Sequence, residues 1–175
     1  MKTTIKTLLI TIVFAGMSMA LQAQKIGYIN SDAIIAALPE TKTVLTQLES
    51  YKGELDKKIQ DKVVAFQQRY SQEQQRLEKG MLTPIQQQEI QASLQQEQDS
   101  IIAFENEQAT LFDTRTKELY QPIFDKVNKA IETVSQANGY NLVLDTKQQV
   151  IIYSDGSANI TRLVAENLGL KFDQN

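Results

Sequence analysis

Apolar residues recur at helical spacing over nearly a hundred residues, from Glu40 to Asn138, with one clean interruption at Gly80-Met81-Leu82-Thr83-Pro84. The first arm carries Leu45, Leu48, Tyr51, Leu55, Ile59, Val63, Phe66 and Tyr70, then Leu77 and Met81. With the gap after Tyr70 counted as two turns, the mean step is about 3.6 residues, the α-helical period, so only gentle supercoiling is expected. The second arm is sparse at Ile85, Ile90 and Leu94, and its apolar density rises away from the break through Phe104, Phe112, Leu119, Ile123, Val127 and Val134. Gly80 suits the left-handed residue just past a helix end. Thr83-Pro84-Ile85-Gln86 reads as a helix start, with Thr as N-cap, Pro at the first position and Gln as capping-box partner. The pattern predicts two antiparallel helices of roughly 40 residues, each about 60 Å long, reversing at a tip near 80–84. Pro122 falls inside the second helix, where it should produce a kink or mark a join.

The flanks change period. Lys25-Ile26-Gly27-Tyr28-Ile29-Asn30 alternates and is β-rich, a short strand. Asn30 or Ser31 can cap a short helix from Asp32 to Leu38, with Pro39 ending it and the long helix starting near Thr41. After the C-cap Asn138-Gly139, Tyr140–Asp145 and Gln149–Ser154 read as two more strands around a turn at 146–148, followed by an amphipathic helix from Asn159 to Leu168. The fold class is therefore α+β. Residues 24–39 and 137–175 make a small strand-containing body, and 40–136 make a long projecting antiparallel α-helical hairpin inserted into it. So small a body has little core of its own, so oligomerisation is expected.

The first 23 residues read as an address: a basic start with Lys2 and Lys6, an apolar stretch from Leu8 to Ala20, then small residues for cleavage. The expectation is a signal peptide, a mature start near Gln24 and no stable membrane anchor. Without Lys2 and Lys6, 16 basic and 21 acidic residues leave the mature chain at a net charge of −5. A net-acidic chain suits nucleic acid poorly, because that binding rests on neutralising phosphates.

The chain contains neither His nor Cys, which removes the usual general base, the thiol nucleophile and the commonest zinc ligands. Carboxylate pairs such as Glu105/Glu107 and Asp56/Asp61 lie on polar helix faces and read as solvated charges. Asp155-Gly156-Ser157 lacks the alternating ligands of a calcium loop, and no phosphate-binding loop or dinucleotide fingerprint occurs. The expectation is a protein that is not an enzyme, with no catalytic, cofactor-binding or metal-binding residues and no cofactors.

Two features of the hairpin bear on binding. Twelve glutamines fall between Gln67 and Gln98 with few large apolar neighbours. With Glu, Arg and Lys interspersed, this describes a solvated, thinly packed and easily opened tip rather than an aggregation-prone tract. The stripe formed by Leu55, Ile59, Phe66, Tyr70, Phe104 and Phe112 is first of all a seam between the arms. Two helices cover only part of each other, so what the seam leaves exposed is the candidate client-binding surface.

The order of these segments resembles the Skp/OmpH periplasmic chaperones. The resemblance rests on Lys25-Ile26-Gly27-Tyr28-Ile29-Asn30 after the signal peptide, on the long charged hairpin, and on Pro122-Ile123, Ala130-Ile131 and Val134 leading into Asn138-Gly139-Tyr140-Asn141-Leu142-Val143-Leu144-Asp145. Tyr153-Ser154-Asp155 and Ile160-Thr161 follow in the family's order. It implies a homotrimer whose strands form a common body carrying three hairpin tentacles around a cavity. It also implies ATP-independent holding of unfolded outer-membrane β-barrel proteins crossing the periplasm. The best-known members have basic tentacles, whereas no Lys or Arg occurs here between Lys79 and Arg115, so no lipopolysaccharide site is carried over. The alternative is a structural or adaptor hairpin that docks a folded cell-envelope partner.

Overall fold

The computed structural model describes residues 24–148, 151–154 and 156–171; the expected signal peptide, residues 1–23, lies outside them. The elements in order are β1 (Ile26–Ile29), α1 (Ser31–Ala37), α2 (Pro39–Glu78), α3 (Pro84–Ala137), β2 (Leu142–Asp145), a 3-10 turn at Thr146–Gln148 and α4 (Thr161–Asn167). The chain divides into two compact units, one reaching to Ile34 and resuming at Val127, the other Ile35–Lys126.

In the first unit β1 and β2 pair in parallel, with Ile26 opposite Leu142 and Ile29 opposite Asp145. A parallel pair needs a long crossover, and here everything from α1 to α3 separates the two strands. The other edge of β1 is also occupied. Tyr28 N–H donates to the Ala158 carbonyl (2.9 Å), and Ile160 N–H donates to the Tyr28 carbonyl (2.9 Å). This corrects the third strand expected at Gln149–Ser154. Ile151–Ser154 is irregular, Gln149 and Val150 lie outside the described residues, and the edge of β1 is taken by residues 158–160. That use of 158–160 also delays α4 to Thr161, whose N–H bonds Asn159 Oδ1 at 2.9 Å. β2 begins later than expected for a similar reason. Tyr140 N–H closes the end of α3 on the Ser135 carbonyl (2.9 Å), and Gly139, at φ 71°, donates to Gln136, the paired bonds of a Schellman cap.

The two stretches on which the family resemblance rests meet here. Gly27 is required by close approach: a Cβ there would stand 2.9 Å from the Tyr140 ring. Lys25 Nζ lies 4.2 Å from the centre of the same ring and donates to the Asn138 carbonyl at 2.9 Å, while its backbone N–H bonds Asn141 Oδ1 at 3.0 Å. Asn30 Oδ1 caps α1 through Ala33 N–H (3.0 Å). Ile29, Ile34, Val127, Ala130, Val134, Ile160, Val164 and Ala165 are buried in this unit.

In the second unit α2 runs 40 residues. Pro39 is its first residue rather than the terminator of α1, because proline's missing N–H costs nothing at that position; Thr41 Oγ1 donates back to the Ile35 carbonyl (2.5 Å). At the far end Gly80, at φ 66°, and Met81 donate to Leu77 and Arg76 (both 3.0 Å), a second Schellman cap. The reciprocal capping box follows: Thr83 N–H donates to Gln86 Oε1 (2.9 Å) and Gln86 N–H to Thr83 Oγ1 (3.3 Å). α3 continues through Pro122 as one 54-residue helix without a join. Pro122 is exposed, so the Glu118 carbonyl that loses its intrahelical partner can turn to water.

Candidate functional site

Contacts between α2 and α3 fix their register. Arg69 Nη1 meets Glu97 Oε2 at 2.5 Å, and Arg69 Nη2 donates to Ser93 Oγ at 2.7 Å. Lys62 Nζ sits 4.7 Å from the centre of the Phe104 ring, and Lys126 pairs with Glu40. The partners in Arg69–Glu97, Lys62–Phe104 and Glu40–Lys126 each lie equally far from position 83 in sequence. The arms therefore keep one register from base to tip.

What fills the seam differs along that length. Val44, Leu48, Leu55 and Ile123 are buried. Toward the tip Leu82 alone of the large apolar residues beyond Leu55 and before Ile123 is buried, while Tyr70, Leu77, Met81 and Ile85 are exposed. There the arms leave a cavity of about 420 Å³. Its floor is Phe66, Tyr70, Leu77, Leu82, Ile90 and Leu94. Phe66 and Tyr70 are successive turns of one helix, with ring centres 6.2 Å apart. The rim is polar and almost uncharged: Gln74, Gln87, Gln91, Gln95 and Gln98, with Glu73 as the one ionisable carboxylate. Glu73 accepts from Arg76 Nη1 at 2.8 Å.

The six seam residues expected from sequence are thus distributed rather than assembled. Leu55, 4% exposed, is closed within the hairpin. Ile59, Phe104 and Phe112 are half-buried, and Phe104 has a cation over its ring. Only Phe66 and Tyr70, the latter 47% exposed, reach the groove. The glutamine rim was not among the expected residues, although its signal is in the sequence: Gln87, Gln91, Gln95 and Gln98 step by four, four and three, one face of a helix. Among the described residues no cluster of His, Cys, Asp or Glu is placed to hold a metal ion, and no helix is long and apolar enough to cross a membrane.

Residues 25–168 match the family described as outer membrane protein (OmpH-like). The chain belongs to the OmpH-like family. No curated protein matches it significantly. A solved structure of a candidate outer membrane chaperone (OmpH-like) from Caulobacter crescentus is similar over 87% of this chain and 90% of its own, with a TM-score of 0.64 at 15% identity. At that identity the likeness speaks for the OmpH-like fold alone.

Proposed function

We propose that this OmpH-like chain is an ATP-independent holdase that keeps unfolded outer-membrane β-barrel proteins from aggregating in the periplasm. The observation that carries the reading is the groove near the hairpin tip, where apolar side chains stay uncovered in a chain of this family. An unfolded client offers many weak apolar contacts and no fixed shape, and a thinly packed tip with an open seam suits that partner. Holding needs no general base, nucleophile or metal, which agrees with a chain lacking His and Cys. In this reading residues 1–23 direct export and are removed.

Copies assemble through the body, as a trimer. Ile26 and Leu142, paired in register, are each about half exposed, while Ile152 and Tyr153 are 99% and 87% exposed. Apolar groups so exposed on the small sheet and on the irregular segment 151–154 beside it mark a surface to be covered. The test is a native mass spectrum of the mature protein, alone and after a urea-unfolded barrel is diluted into it, beside an aggregation assay without ATP. A trimer gaining one unfolded client, and nothing from the same barrel already folded, supports the reading. An assembly that ignores unfolded chains overturns it and points to the adaptor. Ile152→Asp with Tyr153→Asp should shift the spectrum to monomers while the helical circular dichroism signal persists.

A further inference from the structure

The tip groove has a chemistry that the holdase reading, on which this step rests, does not itself require. We infer that the groove binds one extended segment of unfolded polypeptide, taking its peptide groups on glutamine amides and its alternate side chains on the apolar floor. The backbone of α2 and α3 is committed to its own helical hydrogen bonds, so the hairpin cannot hold a strand by offering a sheet edge. Hydrogen bonds to a strand must come from side chains, and a glutamine carries the same carbonyl acceptor and N–H donor as a peptide group.

The rim is free to use them. Gln91 and Gln98 have no hydrogen-bond partner among the described residues, and Gln74, Gln87 and Gln95 engage only Nε2, toward Tyr70 Oη, the Leu82 carbonyl and Asp99 Oδ1. Dimensions agree as well. From Phe66 to Leu77 the helix rises about 16 Å, which an extended chain covers in about five residues at roughly 3.3 Å each. Up to three side chains of one strand face can then reach the floor. Charge narrows the occupant further. Glu73, the only ionisable carboxylate of the rim, is paired with Arg76, and no Lys or Arg lines the groove. An anionic headgroup or acidic peptide meets no unpaired cation, since Arg76 and Arg69 are engaged by Glu73 and Glu97, whereas a neutral strand of alternating apolar and polar residues, the pattern of a membrane β-barrel, is matched on its apolar face and its edge.

The probe is a fluorescein-labelled ten-residue peptide alternating Val or Leu with Thr, and a second version N-methylated at every other amide. Both are titrated by anisotropy into the full mature protein. N-methylation should weaken binding by about tenfold. Gln91→Ala with Gln98→Ala should weaken the unmodified peptide by about tenfold and leave the N-methylated one unchanged. Gln68→Ala with Gln72→Ala, both exposed and outside the groove, should bind as the parent does, and unchanged melting of each variant verifies the fold. Equal binding of the two peptides, or full binding by the Gln91/Gln98 variant, overturns the inference. So does displacement of the peptide by phosphatidylglycerol vesicles that the variant no longer binds, which would assign the groove to lipid. A protein that prevents barrel aggregation yet binds no peptide overturns this inference alone; one that does neither overturns the holdase reading with it.

Discussion

The base and the tip of the hairpin share one register and differ in what occupies it. Near the base the seam is closed by Val44, Leu48, Leu55 and Ile123, all buried. Near the tip it opens into a glutamine-rimmed groove, held by the Arg69 contacts and by the capping box at Thr83 and Gln86. Aliphatic burial contributes stability in proportion to the apolar area removed from water, so the base holds the hairpin together. The tip is ordered by a few directional contacts and leaves apolar side chains such as Tyr70 and Leu77 uncovered. Stability and the proposed recognition are thereby separated along one pair of helices.

The largest expected effect breaks this comparison at the base. Leu55→Ala should destabilise the hairpin by about 2–4 kcal/mol, as the transfer and cavity terms of a buried leucine require. Leu77→Ala, exposed near the tip, should cost no more than roughly 0.5 kcal/mol. Urea melts of the two proteins decide the point, and similar losses would mean that the tip is packed as tightly as the base.

A polar exception in the closed seam gives the next effect. The Gln108 side chain is only 4% exposed and has no protein hydrogen-bond partner among the described residues, so its amide relies on a sliver of solvent, whereas Gln91 and Gln98 at the tip are open to solvent. An incompletely satisfied amide in such a place costs stability, and apolar groups of similar size commonly do better there. Gln108→Leu should therefore raise the denaturation midpoint, by about 1 kcal/mol of stability. A loss instead would show that Gln108 finds partners in the proposed assembly.

The Arg69 clamp is smaller again. Its guanidinium and the Glu97 carboxylate are both partly exposed, and such pairs are worth roughly 0.2–1 kcal/mol. Arg69→Met should leave the base intact and speed hydrogen exchange of amides around 70–95. Exchange accelerated equally along both arms would contradict the separation of base from tip.

How legible all this was in the sequence follows the same division. The hairpin could be read because its signals are local: a 3.6-residue period, Gly80 past a helix end, and Thr83-Pro84 with Gln86 three residues beyond the cap. The third strand was misread because Ile151-Ile152-Tyr153 has strand-like composition, whereas pairing depends on which segment reaches the free edge of β1, a long-range matter that residues 158–160 decide. Of the seam residues, composition could not separate Leu55, closed between the arms, from Tyr70, open to the groove. That difference arises where the aliphatic seam thins, not in either residue. The groove itself follows from a stripe of glutamines beside Ile90 and Leu94, which polarity alone presents as a merely solvated face.

The smallest effect lies at the base, where charge adds to packing. Glu40 stands in the first turn of α2, where a carboxylate also favours the helix dipole. The Lys126 ammonium, aided by Glu40's own backbone N–H, holds its carboxyl below the ordinary value of 4.5. A carboxyl whose value is lowered by folding contributes stability that is fully present above the ordinary value and is lost as the pH falls through the lowered one. Glu40→Gln keeps the shape and removes the charge, so the parent should melt slightly above the variant at pH 7, with the two converging below about pH 4.5. Salt should narrow the gap at neutral pH, because both partners are about half exposed. A difference that survives unchanged at pH 3 would make Glu40 a packing residue, and the base would then owe nothing to its ion pair.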